Sequence, residues 1–492
     1  MKHALVALVA LVAAVGCARP VSFYVPATLA DRNAPVAVVD PKTPADLGEN
    51  PQPLKRSPAT LPVPSEGHLS NGVRLLFVEH HHLPLVAVSF ILRFDASEGV
   101  TVVPDLYALA MTGGSDTYSS RSNKLFRGLA GVTALAQRDS DALVLQASML
   151  APHATTAIDR LAATLAAPAF ETKDIDTDQH KLLDERMRAR QYPSAMIAAQ
   201  RMLLGEAHPA RIRTFGIQQI RAASRDGLRA FKKANLSAEN LTVVVVGDFK
   251  RTEIERLLEA RLGRLPSTSP HPTRTSAPAW EHATAPKARI EIVPWRGATQ
   301  SKVAIAFDGP PPRSRDRAVL AVLDDVLTSS EGRLQRLIRE DKGASYGVHG
   351  GLEFWRTGSA FQIVSSVEAR QTVSTVDTIV REIRRLATEL VPNEELARAK
   401  GHVVAGARSG DSPVARDHSL VTTIATQDLP LDHFVNAASR VEAVTSEDIR
   451  AAAAKYLRAE YAQIAVAGDP ASVEAPLRAL GIGDVSFAPP LP

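Results

Sequence analysis

Two similar stretches decide the fold of this 492-residue chain: residues 224–230, SRDGLRA, and residues 445–451, TSEDIRA. The similarity continues without a gap, so that Gly247-Asp248 falls on Gly468-Asp469, each after an apolar run typical of a buried strand. The same offset of 221 residues pairs Asp174-Ile175 with Glu395-Leu396, each near the start of a long charged helical pattern. So many matches in one register indicate an internal duplication.

The duplication predicts two similar domains in tandem, residues 66–265 and 289–486, joined by a linker at residues 266–288 that is rich in Pro, Ser and Thr. Each half opens with paired strands, and long amphipathic helices follow. The predicted strands are Val73 to Glu79, Leu85 to Arg93, Ile290 to Pro294 and Lys302 to Asp308, and the predicted helices include His153 to Ala167, Thr172 to Arg190, Val373 to Leu390 and Asn393 to Arg408. Because strand runs and helix runs are segregated, the pattern predicts an α+β fold with a largely antiparallel sheet in each domain.

The composition is that of an ordinary soluble globular protein, with 45% hydrophobic and 22% charged residues. The net charge of +4 is small for this length and no block of Lys and Arg stands out, so no nucleic-acid partner is expected. Cys17 is the only cysteine, which excludes an internal disulfide. After the first seventeen residues no apolar run is long enough to predict a transmembrane helix.

The first seventeen residues have the pattern of a secretory signal, with a basic start and an apolar run from Ala4 to Val15. Ala14-Val15-Gly16-Cys17 resembles the bacterial lipobox, so Cys17 is predicted to be lipidated and to be the sole membrane anchor. An ordinary signal peptide with an incidental cysteine is the alternative. Ala18 resembles the pattern of lipoproteins sorted to the outer membrane, which predicts a periplasm-facing location in the bacterial envelope. The proline-rich residues 18–65 are predicted to be an extended tether.

Three further motifs resemble those of one peptidase family. Residues 69–74, LSNGVR, followed by residues 83–86, LPLV, resemble the opening of a pitrilysin-type domain, and residues 226–248 resemble its end. Residues 337–346, LIREDKGASY, are similar to a signature of the second domain of that family. The chain is therefore identified as a member of the pitrilysin/insulinase-type zinc peptidases, similar to mitochondrial processing peptidase. The resemblance implies that the two domains form half of a clamshell.

Active members of this family carry H-x-x-E-H on a helix of the first domain, where two His bind Zn²⁺ and the Glu activates its water. At the matching positions this chain has Asp105 in place of the first His, Ala108 in place of the Glu and Leu109 in place of the second His. Asp178 falls at the position of the third ligand. Since Leu109 has no lone pair and Ala108 cannot accept a proton, the chain is predicted to bind no zinc and to cleave nothing alone. A lone active protease with unusual ligands is the disfavoured alternative.

The run His80-His81-His82 is also typical of metal sites. Consecutive residues of a strand, however, point to opposite faces and cannot converge on one ion. We therefore predict the exposed end of a hairpin at this position.

The second domain keeps the pair of residues with which the family binds substrate. The resemblance implies that an Arg and a Tyr seven residues later contact the substrate backbone near the scissile carbonyl, and Arg339 and Tyr346 match this spacing. A purely structural turn is the alternative for these two residues. A lost zinc motif beside a retained Arg/Tyr pair resembles one chain of the two-subunit peptidases. The chain is therefore predicted to be the non-zinc subunit of a heterodimeric peptidase. Its predicted partners are a zinc-bearing homologous subunit and a peptide substrate. The alternative is a non-enzymatic scaffold of an envelope complex.

Overall fold

The computed structural model describes residues 62–96, 101–206, 208–270, 287–340, 345–406 and 412–490. The predicted signal peptide with Cys17, nearly all of the tether and most of the linker lie outside these residues. Residues from Leu61 onward form one compact unit. No helix in the described ranges is both long enough and apolar enough to cross a membrane.

The strands of the first half form a six-stranded sheet in the order β1-β2-β6-β3-β5-β4. These strands are β1 (Ser65–His68), β2 (Arg74–Glu79), β3 (Leu85–Arg93), β4 (Thr133–Asp139), β5 (Ala142–Leu150) and β6 (Leu241–Gly247). Neighbouring strands are antiparallel except β2 and β6, which are parallel. All seven residues of β6 are buried, as expected of a valine-rich strand covered on both faces.

The strands of the second half form another six-stranded sheet, in the order β12-β7-β11-β8-β10-β9. These strands are β7 (Arg289–Pro294), β8 (Gln300–Gly309), β9 (Ser345–Trp355), β10 (Gly358–Glu368), β11 (Gln463–Gly468) and β12 (Asp484–Phe487). Strands β7 to β11 repeat the order and the directions of β2 to β6, with one parallel pair, β7 and β11. The α+β fold with largely antiparallel sheets is therefore confirmed.

The helices repeat as well. The first half contains α1 (Val103–Ala110), α2 (Ser120–Ala130), α3 (Ala154–Ala166), α4 (Thr172–Gln191), α5 (Ala195–Leu204), α6 (Ile217–Ala222), α7 (Arg225–Asn235) and α8 (Arg251–Leu262). The second contains α9 (Asp316–Thr328), α10 (Arg333–Gln335) with a π-helical turn (Arg336–Glu340), α11 (Thr372–Leu386), α12 (Asn393–Gly406), α13 (Pro413–Thr426), α14 (Ala437–Glu442), α15 (Ser446–Tyr456) and α16 (Pro470–Ala479). The bounds of α7 and α15 coincide after the offset of 221 residues, and so do the starts of α4 and α12.

Each half covers one face of its sheet with its own helices and receives a helix from the other half on the opposite face. Helix α5 packs on β8 and β11 of the second sheet through an alanine-rich face. Helix α13, its counterpart by the offset, packs on β3 and β6 of the first sheet. At this contact Ser89 of β3 and His418 of α13 form a buried hydrogen bond of 2.8 Å. The exchange of helices joins both halves into one body.

One prediction about strand pairing is wrong. The strands that open each half do not pair with each other, because β6 lies between β2 and β3, and β11 lies between β7 and β8. The predicted histidine hairpin is consequently a connection that crosses the end of β6. Gly247, at that end, has φ of +131°, and a Cβ there would lie 2.1 Å from the carbonyl oxygen of Leu85, so only glycine fits.

The three histidines of this connection do not converge. His80 bonds Asp417 of α13 at 2.6 Å, and His81 bonds Asp248 at 2.8 Å. His81 and His82 are exposed. The expected exposure therefore holds for His81 and His82, whereas His80 is partly buried against α13.

Candidate functional site

The helix that carries the altered zinc motif, α1, is part of the main core of the first half. It packs against α4, α7 and β4. Ala108 is buried, and Leu109 packs against the same core at a partly buried position. The neighbouring Tyr107 is fully buried, and its ring lies 5.0 Å from that of Phe231 and 5.8 Å from that of Phe170. The motif positions therefore contribute apolar packing where active relatives need a base and a ligand.

Asp105, at the position of the first zinc ligand, is held by two arginines. Its carboxylate oxygens lie 3.2 Å from a nitrogen of Arg138 and 3.2 Å from Nε of Arg213. The side chain of Arg138 is only 1% exposed, and its guanidinium also stacks over the ring of Phe94 at 4.8 Å. Burial, and secondarily the neighbouring Arg213, lowers the pKa of Arg138 to about 10, while Asp105 opposes this shift. Asp105 is thus the counter-ion of two guanidinium groups, and these would repel a metal cation.

Asp178, which the resemblance puts at the position of the third ligand, lies on α4 and faces α1. Its carboxyl is buried in a small cleft lined by Leu106, Ala110 and Asp174. Burial raises the pKa of Asp178, which Lys181 at 2.8 Å partly offsets. Within the described ranges, no group of three or more His, Cys, Asp and Glu residues is placed to hold a metal ion.

Arg339 lies on the π-helical turn after α10, and its side chain is exposed. Tyr346 is the second residue of β9, the edge strand of the second sheet. Its side chain and residues 341–344 lie outside the described residues. The approach of Arg339 to Tyr346 therefore stays a prediction.

The turn that carries Arg339 is anchored by side chains that the sequence analysis did not single out. Arg333 bonds both oxygens of Glu395 at 2.8 and 2.7 Å and one oxygen of Glu382 at 2.8 Å. The side-chain oxygen of Gln335 accepts the backbone N–H of Val348 at 2.9 Å. This bond joins the turn of Arg339 to the strand of Tyr346, so Gln335 fixes the two elements relative to each other.

The tips of the hairpins β4–β5 and β9–β10 meet at a buried ion-pair network between the halves. Arg93 lies 3.0 Å from Asp428 and 3.5 Å from Asp141. Arg356 bonds Asp141 and lies 3.7 Å from Asp428. Beside them, burial and the charges of Asp141 and Glu353 raise the pKa of Asp139 to about 6. The network holds the two halves in one relative orientation.

The chain therefore has a duplicated α+β body, and an ion pair occupies the position at which Asp105 replaces the first histidine of the zinc motif. Residues 222–402 match the family model described as the peptidase M16 inactive domain. No curated protein matches the chain.

Solved structures share this fold. A peptidase M16 inactive domain from Pseudomonas fluorescens is similar, with 20% identity over 82% of this chain and 98% of that chain and a TM-score of 0.74. A protease from Helicobacter pylori is similar with 14% identity over 83% and 100% of the two chains and a TM-score of 0.72. A chain of complex III₂ from Candida albicans, with Inz-5 bound, has 13% identity over 82% and 95% and a TM-score of 0.64. The resemblance to M16-type peptidases stated from the sequence is confirmed by the family model over residues 222–402 and by the fold shared with these structures. In the first half, the positions matched to the zinc motif lack the zinc-binding residues.

Proposed function

We propose that this chain is the non-zinc subunit of a heterodimeric M16-type metallopeptidase of the bacterial envelope. The observation that carries the proposal is the environment of α1, where two arginines neutralise Asp105 and the positions of Ala108 and Leu109 are packed into the core. Such a helix offers no site for zinc, so any zinc, water and general base come from a partner subunit. The two halves then form one wall of a chamber that the partner closes.

The contribution of this chain to catalysis would come from the second half. Arg339 presents an always-charged planar donor to solvent, and Tyr346 supplies a neutral hydroxyl. Both suit a substrate carbonyl that gains negative charge in the transition state. The anchors Arg333 and Gln335 would hold this pair in place while the substrate is bound.

A scaffold without enzymatic activity is the second candidate. The similarity in fold to a chain of complex III₂ supports it, because a chain with a similar fold is part of that assembly. The two candidates differ in whether the complex of this chain with its partner cleaves peptides.

The test is an Arg339→Ala variant in the complex purified with its zinc-bearing homologue. Arg336, exposed on the same turn three residues earlier, supplies the matched control Arg336→Ala. We expect Arg339→Ala and Tyr346→Phe each to lower turnover by about 10²–10³, with assembly unchanged and the control near the parent. A complex that cleaves peptides and is indifferent to both changes would contradict the role of the pair. A complex that forms and never cleaves would favour the scaffold.

The location is part of the proposal. A lipid on Cys17 and the tether of residues 18–65 would hold the body at the periplasmic face of the outer membrane.

A further inference from the structure

Three arginines of the second half donate hydrogen bonds to one segment of the chain, residues 427–433. Arg313 donates to the backbone oxygen of Asp428 at 2.9 Å, just after α13. Arg317, four residues later in the chain and in the first turn of α9, donates to the side chain of the adjacent Gln427 at 2.9 Å. Arg440 of α14 donates to the backbone oxygen of His433. We call Arg313, Arg317 and Arg440 the arginine cluster.

The middle member of the arginine cluster is held in a fixed orientation. The guanidinium of Arg317 lies 4.1 Å from the ring centre of Phe354 and 5.5 Å from that of Phe434. The half-buried position lowers the pKa of Arg317 to about 10, and Arg440 adds to this effect. A guanidinium has five N–H donors, so the members of the arginine cluster keep donors beyond the bonds named above, and these can bind an anion.

The positive charge of the arginine cluster is not balanced within the described part of the chain, where none of its members forms an ion pair with a carboxylate. The carboxylate of Asp428 is already shared by Arg93 and Arg356 of the junction. Asp432 is an acid near the three arginines, and its single negative charge leaves about two of their three positive charges unbalanced. The neighbouring His433 is affected by this positive charge. Burial, and after it the charges of Arg317 and Arg440, lower the pKa of His433 to about 4, whereas Asp432 acts in the opposite direction.

From this arrangement we propose that the arginine cluster is a binding site for a phosphate group, on a lipid headgroup or on a free phosphate ester. Three guanidinium groups beside one carboxylate match the double charge of phosphate better than the single charge of a carboxylate. Pro62, the first described residue, lies in a cleft lined also by Phe434. The predicted tether therefore joins the body beside the arginine cluster, so a lipid headgroup of the anchoring membrane is within reach. This proposal is independent of the proposed peptidase function.

The test uses the compact body from Leu61 onward, which carries no lipid. The probes are inorganic phosphate, followed through the NMR signal of His433, and vesicles of phosphatidylcholine with or without phosphatidylglycerol. Arg317→Gln and the exposed Arg440→Gln remove one donor each. Arg315→Gln is the matched control, because Arg315 is exposed in the same segment and removes the same charge outside the arginine cluster.

We expect phosphate to raise the pKa of His433 and both site variants to weaken binding at least about tenfold, with less than about a twofold effect in the control. If the parent and the control bind phosphatidylglycerol vesicles and the two site variants bind them more weakly, the phosphate is that of a lipid headgroup. If the body binds inorganic phosphate but not the vesicles, the ligand is a free phosphate ester. The proposal is overturned if neither probe binds or if Arg315→Gln weakens binding as much as Arg440→Gln. Tighter binding of a poly-glutamate peptide than of phosphate would also overturn it.

Discussion

Replacing Asp105 by Asn tests whether the position of the first zinc ligand has become a structural ion pair. The change removes one negative charge and keeps the shape, which leaves Arg138 and Arg213 facing each other. Two pairs with N–O distances of 3.2 Å are lost, and Arg138 stays buried with 1% of its side chain exposed. Removing one partner of a buried pair costs about 3–5 kcal/mol. Because Asp105 keeps 18% exposure and Asn retains an acceptor, we expect about 3 kcal/mol.

The assay is urea unfolding of the body at pH 7.5, monitored by circular dichroism, for the parent, for Asp105→Asn and for one control variant. Asp226→Asn is the matched control, since Asp226 pairs with Arg229 at 3.4 Å and is 90% exposed. An exposed pair of this kind contributes about 0–0.5 kcal/mol. If Asp105→Asn destabilises the body no more than the control does, Asp105 is not the counter-ion that the structure indicates.

Three further predictions concern other parts of the chain. The pKa of Asp139 is raised, so its charge destabilises the fold above pH 6, and this penalty disappears as the pH falls toward 4. Asp139→Asn should therefore stabilise the body by about 1–2 kcal/mol at pH 7.5 and much less at pH 4. An equal effect at both pH values would contradict the raised pKa. Gln335→Ala should leave the N–H of Val348 unpaired and lower the turnover of the complex more than its substrate affinity. Gln335→Glu, which keeps an acceptor oxygen, should partly restore turnover. Unchanged kinetics would exclude a positioning role for Gln335. Cys17→Ser should release the chain from the membrane fraction, and retention without a membrane-bound partner would exclude the lipid anchor.

The elements that repeat were predictable from the sequence. The segments that the offset of 221 residues matched proved to be α7 and α15, whose bounds coincide, and β3 was predicted with the bounds that it has. These predictions succeeded because caps, apolar periods and turn residues are local signals. The loss of the zinc ligands was also readable, since Ala108 and Leu109 lack the required atoms whatever their surroundings.

What the sequence did not reveal is which distant residues meet. Alternating apolar residues show that a strand is buried but not which strand lies beside it, so the insertion of β6 between β2 and β3 was missed. The partners of Asp105 lie 33 and 108 residues away along the chain, with no spacing that marks them. The one available signal was an acidic residue on an apolar helix, which requires a counter-charge when it is buried.

The most direct test of the account is the zinc content and peptidase activity of the purified body, measured before and after addition of the zinc-bearing homologue. We predict zinc far below one ion per chain and no cleavage of unfolded peptides by the body alone, because α1 offers a neutralised carboxylate and apolar side chains. Addition of the homologue should give chelator-sensitive cleavage that depends on Arg339. One tightly bound zinc per chain, with chelator-sensitive cleavage by the body alone, would contradict the account.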